Sequence, residues 1–74
     1  MRTLDTLRPG ESAAVRAIHA SPEAEMRLND MGLTPGTKVT VLRSAPFGDP
    51  MVVTLLGYRL ALRRRDARLV EVDR

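Results

Sequence analysis

The stretch RLNDMGLTPGTKV, Arg27 to Val39, changes its hydrophobic period half-way along. On its upstream side Ala24, Leu28 and Met31 recur at i, i+4 and i+7, the spacing of one apolar stripe on a helix. On its downstream side Val39 and Val41 alternate with Lys38 and Thr40, the period of a half-buried strand. Gly32 stands between them, suited to the C′ position where a helix closes in the left-handed conformation. Placing Gly32 there puts Leu28 at C3 and Leu33 at C″, the apolar pair that accompanies a Schellman motif. Thr34-Pro35-Gly36-Thr37 then has proline and glycine at the centre of a type II turn. The stretch reads as a rigid corner between a helix and a strand.

Working outward, Ser21 is a good N-cap, Pro22 occupies the favoured first helical position, and Glu23 and Glu25 lie near the positive end of the helix dipole. The spacing predicts a helix from about Pro22 to Met31. Before it, SAAVRAI (Ser12 to Ile18) reads as a first strand with Val15 as its best core residue. LRPGE (Leu7 to Glu11) is a turn, with Pro9 presetting φ and Gly10 accepting a positive one. After the corner come a strand, TKVTVLRS, and a loop, APFGDP. MVVTLL and YRLALR flank Gly57 as a tight hairpin, with Val53 and Leu55 expected to face Leu60 and Leu62. RRRDA reads as a short turn, up to one turn of 3₁₀ helix, and RLVEV as a last strand with Val70 and Val72 on one face. Both termini read as short frays. The prediction is a mainly β domain over residues 1–74: a five-stranded small barrel with one short helix inserted after the first strand.

Composition narrows the function. The chain has 74 residues, no cysteine and a net charge of +3. A domain this short buries only ~60% of the surface its unfolded chain exposes, so its core must be economical. Without cysteine there is no disulfide framework, thiol nucleophile or thiolate metal site. Asp5 and Arg8 interrupt any signal-peptide apolar region, and Gly57 and Arg59 break the longest apolar run. A soluble, cytoplasmic protein without membrane insertion is expected. Arg59, Arg63, Arg64, Arg65 and Arg68 crowd the last third, an asymmetry that could steer an acidic partner.

No catalytic constellation is visible: no serine carries a nucleophile motif, no carboxylates pair on one predicted face, and no glycine-rich loop opens a helix. His19 is the one borderline metal ligand of note, with Glu23 four residues on. One histidine and scattered carboxylates cannot fill a coordination shell. The expectation is therefore no tightly bound cofactor, and at most a weak or intermolecular divalent-metal site at His19 and Glu23. Nucleic acid is the rival partner, because small barrels often bind it. However, only Phe47 and Tyr58 could stack on bases, and nine acidic residues offset the basic ones.

Taken in order, these segments resemble the ferrous iron transport protein A (FeoA) family. The resemblance rests on Leu7-x-Pro9-Gly10-Glu11 followed by Val15, on Leu28-x-x-Met31-Gly32-Leu33-x-Pro35-Gly36, and on Gly48-Asp49-Pro50. Leu60-Ala61-Leu62-Arg63 ahead of Asp66-Ala67 completes it, so that nearly the whole chain is covered. It implies an SH3-like barrel that is not an enzyme and that supports or regulates bacterial ferrous iron uptake. The implied partner is the membrane permease, ferrous iron transport protein B, with its cytosolic GTP-binding domain; weak self-association is a further possibility. Grooves of SH3-like barrels are lined by loop aromatics and prolines. On that pattern the candidate partner-binding residues are Pro46, Phe47, Met51 and Tyr58, together with the basic cluster Arg63, Arg64 and Arg65. The alternative reading is a nucleic-acid-binding small barrel.

Overall fold

A computed structural model describes residues 1–73 of the chain. Six strands form one antiparallel sheet: β1 (Arg2–Thr3), β2 (Ser12–Ile18), β3 (Lys38–Ser44), β4 (Met51–Leu55), β5 (Tyr58–Leu62) and β6 (Val70–Val72). Their order is β1-β6-β2-β3-β4-β5. Helix α1 (Pro22–Asp30) lies between β2 and β3, and the four-residue helix α2 (Arg64–Ala67) between β5 and β6.

The sheet is bent where its ladders are interrupted. The pairing of β2 with β6 shifts register between Val15 and Ala17, and that of β3 with β4 between Val41 and Arg43. Extra residues of this kind kink a strand and increase its twist. Strand alternation then points one face inward: Val39 and Val41, Met51, Val53 and Leu55, and Val70 and Val72 are all buried. Leu28 of α1 and Leu33 beyond it are fully enclosed with them, and none of the buried described residues is polar or charged.

The corner is built as its sequence predicts. Met31 is the C-cap and Gly32, at φ +99, is the C′ residue. The Leu33 N–H donates to the Leu28 carbonyl at 3.1 Å and the Gly32 N–H to that of Asn29 at 2.9 Å, the two bonds of a Schellman motif. The Thr37 N–H closes the following turn onto the Thr34 carbonyl at 3.0 Å, with Gly36 at φ +94. Two further bonds of 2.8 Å, Gly36 N–H to Val15 carbonyl and Val15 N–H to Thr37 carbonyl, lock that turn against β2. The helix start agrees too, since the Ser21 hydroxyl accepts from the Ala24 N–H at 3.2 Å.

Three expectations need correcting. There are six strands rather than five, because the N-terminus is no fray: Arg2 and Thr3 pair with Val72 and Glu71, and Leu4 behind them is fully buried. A two-residue strand is too short to show a period. The helix therefore follows the second strand. RRRDA forms α rather than 3₁₀ helix, with Ala67 and Arg68 N–H groups bonded four residues back. In the β4–β5 hairpin Val53 does face Leu60, but Leu55 pairs with Tyr58 and Leu62 with Met51. The turn is the two residues Leu56 and Gly57, both at positive φ, and a two-residue loop dictates that register.

Candidate functional site

The loop between β3 and β4 carries the most conspicuous surface group. Phe47 is fully exposed and sits at φ +68, a conformation that costs a bulky residue on the order of 1–3 kcal/mol. The structure around it is tied down. The Gly48 N–H bonds the Ala45 carbonyl at 2.8 Å and the Ala45 N–H bonds the Pro50 carbonyl at 2.9 Å. Arg64 adds the decisive ties. Its Nε donates to the Gly48 carbonyl, its Nη1 to the Asp5 carbonyl at 2.8 Å and its Nη2 to the Ser44 hydroxyl at 3.0 Å. Its own main-chain N–H meets Asp49 Oδ1 at 3.1 Å. One guanidinium thereby joins the N-terminal turn, the end of β3, the Phe47 loop and α2.

The sequence-derived candidates separate accordingly. Pro46 and Phe47 are exposed together on the loop. Met51 is not beside them on the surface: it is fully buried, on the inward face of β4 in alternation with Val53 and Leu55. Tyr58 is partly exposed at the start of β5, and its hydroxyl donates to the Met31 carbonyl, so the ring braces the helix corner. Arg63 and Arg65 are exposed, whereas Arg64 turns the other way into the clamp. Leu28, Leu33 and Gly32 build the corner, Met31 packs partly buried against the core, and Pro35 and Gly36 form the exposed turn. Arg64 as a clamp had no local signal, since its partners lie as far away as Asp5.

His19 does not meet Glu23. Its Nε2 donates to Glu71 Oε1 at 2.6 Å, and Arg16 Nε stands 3.6 Å from the other oxygen of that carboxylate. Among the described residues no three His, Asp or Glu side chains converge on one point, so His19 and Glu71 offer two donors where a closed metal site uses four. The His19 hydrogen bond, aided by the nearby charges of His19 and Arg16, holds the Glu71 carboxyl below its ordinary range. A depressed folded value favours the folded state above the ordinary glutamate pKa, and that contribution fades as pH falls through the folded one. His19→Ala is therefore expected to raise the Glu71 titration midpoint, measured by carbon-detected NMR. The stability difference between wild type and Glu71→Gln closes as pH falls past that midpoint.

A strongly bent antiparallel sheet with one capped helix inserted between its strands is the architecture of a small SH3-like barrel. The chain belongs to the FeoA domain family, which it matches over residues 2–74. It is 31% identical over 70 residues to an Fe(2+) transport protein A/Fe(2+) transporter FeoB fusion protein of Porphyromonas gingivalis, covering 95% of this chain and 8% of that one. The solution structure of iron(II) transport protein A from Clostridium thermocellum superposes with a TM-score of 0.91 at 35% identity, over 97% of this chain and 44% of that one. FeoA of Stenotrophomonas maltophilia, an SH3-domain protein crystallised with zinc, gives 0.84 at 32% identity, over 99% and 91%. Ferrous iron transport is thus the setting of the family. No helix among the described residues is long and apolar enough to cross a membrane.

Proposed function

We propose that this chain is a cytoplasmic accessory or regulatory module of bacterial ferrous iron uptake that binds the cytosolic, GTP-binding part of the ferrous iron permease. The observation that carries the reading is the Porphyromonas gingivalis relative, in which a domain of this kind and the FeoB transporter are one chain. Fusion holds two modules at millimolar effective concentration, an arrangement suited to modules that work in contact.

Phe47 is the first anchor to test. An aromatic held out on a fixed loop loses little freedom on binding and suits a hot spot, whereas exposed charge chiefly sets the encounter rate. Phe47→Ala is expected to raise the off-rate from the permease domain at least about tenfold. Neutralising Arg63 and Arg65 should slow association at low salt and leave the off-rate nearly unchanged at high salt. Surface plasmon resonance separates the two. In cells, deleting the gene should lower ferrous iron uptake, and the Phe47→Ala allele should fail to restore it. Normal uptake in the deletion strain, with tight salt-resistant binding of the purified protein to RNA, would transfer the case to a nucleic-acid role.

A further inference from the structure

A cleft of about 550 Å³ opens between the C-terminal turn of α1 and strand β5. Arg27 lines it from the helix and Met31 from the helix cap, Ala61 and Leu62 from the strand, and Arg63 and Arg65 from the segment beyond. Its one acidic wall residue among the described residues, Asp66, is already bonded to Arg27 at 3.1 Å. Among the described residues, three arginines against one aspartate leave the cleft at +2.

Strand β5 is the last in the sheet order, paired only with β4. In a two-residue hairpin the closing pair, here Leu55 and Tyr58, exchanges both hydrogen bonds, and the register then runs without a bulge to Met51 and Leu62. Tyr58, Leu60 and Leu62 therefore direct their main-chain groups to β4. Arg59 and Ala61 direct theirs outward, and among the described residues no other main-chain group bonds them.

Charged side chains on an edge strand commonly guard against unwanted pairing, which accounts for Arg59. It does not account for Arg63 and Arg65 beyond the strand's end, which Asp66, already paired with Arg27, leaves unneutralised, nor for the small Ala61 at an outward-bonding position, which leaves the edge open to another backbone. A small anion could meet the arginines but would leave the edge unpaired. We propose that the cleft receives an extended acidic segment of a partner protein, added to β5 as a further strand. Its main chain bonds the outward groups of Arg59 and Ala61, and its carboxylates face Arg63 and Arg65. This describes how the binding role proposed above is carried out and rests on that role for the partner's identity. The cleft and the Phe47 loop flank the same short helix, since Arg64 ties the loop to α2 while its neighbours line the cleft.

The test is an NMR titration of nitrogen-labelled protein with a blocked peptide alternating glutamate and valine. Expected are shifts of the Arg59, Ala61 and Met31 amides and slowed exchange at Arg59 and Ala61. A glutamine-for-glutamate peptide should bind about tenfold more weakly, and so should the parent peptide to Arg63→Gln/Arg65→Gln. A peptide N-methylated at alternate amides should lose binding. Ala61→Pro should fold normally, because that N–H is outside the ladder, and should also lose it. Undiminished binding of the N-methylated peptide, shifts confined to the Phe47 loop, or the same shifts with inorganic phosphate or an RNA oligonucleotide would overturn the proposal. A final arm uses the purified permease GTP-binding domain. Equal binding to wild type and Ala61→Pro refutes the cleft while the iron-uptake role stands. If the domain binds neither protein while the peptide still binds, the role falls and the cleft stands.

Discussion

Gly32→Val is expected to lower stability by about 3 kcal/mol, the largest effect of any single substitution at the helix corner. Two independent costs combine. At φ +99 a β-branched residue meets its own backbone, whatever space surrounds it. The surroundings are also occupied: a Cβ at this position would stand 3.0 Å from the Tyr58 hydroxyl and 3.1 Å from a methyl carbon each of Leu55 and Leu56. Yielding by Tyr58 is not free, because its hydroxyl holds the Met31 carbonyl at the helix end. Domains of this length have on the order of 4–11 kcal/mol in all, so the variant loses a large share. Its melting temperature should fall by more than about 10 °C. Gly32→Ala should fall by less, and combining it with Tyr58→Phe should cost less than the sum of the two, since both damage one contact. An unchanged melting temperature for Gly32→Val would mean that the corner does not carry the fold.

Arg64→Ala is expected to cost about 2 kcal/mol, far more than an exposed arginine would. The guanidinium satisfies the Gly48 and Asp5 carbonyls and the Ser44 hydroxyl at once, and so ties the turn at Asp5 to the loop after β3, which lies far from it along the chain. Arg64→Lys should restore less than half of the loss, since an ammonium cannot reproduce a planar fork reaching three acceptors. Arg63→Ala and Arg65→Ala should each stay within about 0.5 kcal/mol of wild type. Urea midpoints measure all four. Hydrogen exchange should also show the Gly48 amide opening faster in Arg64→Ala, which links the clamp to the presentation of Phe47. Equal midpoints across the three arginine variants would remove Arg64 from its structural role.

Local chemistry explains what could be read along the chain. The Schellman motif, the Ser21 cap and the proline-glycine turns each need only residues within one turn of one another, so Ser21, Gly32 and Gly36 announce them. The alternation of Met51, Val53 and Leu55 was equally legible and argues for a buried Met51; the neighbouring loop aromatic obscured it. Pairings across the fold leave no such mark. Arg64 stands in a run of three arginines indistinguishable by composition, and only the approach of Asp5, Ser44 and Gly48 separates it from its neighbours. The His19–Glu71 contact spans 52 positions and hid behind the nearer Glu23. Strand β1 has two residues and no period at all.

That shortest strand has a topological consequence. Arg2 lies opposite Val72, so the first and last strands of the domain meet in one ladder. Bringing these strands together is the longest loop closure the chain must make, and its entropic cost falls on the unfolded state's freedom rather than on any native contact. A short linker joining the outer ends of β1 and β6 would remove that freedom beforehand and leave the native ladder as it is. The order in which the segments are synthesised is then incidental to the architecture. A permuted chain opened at the exposed turn after β4 should reach the same barrel.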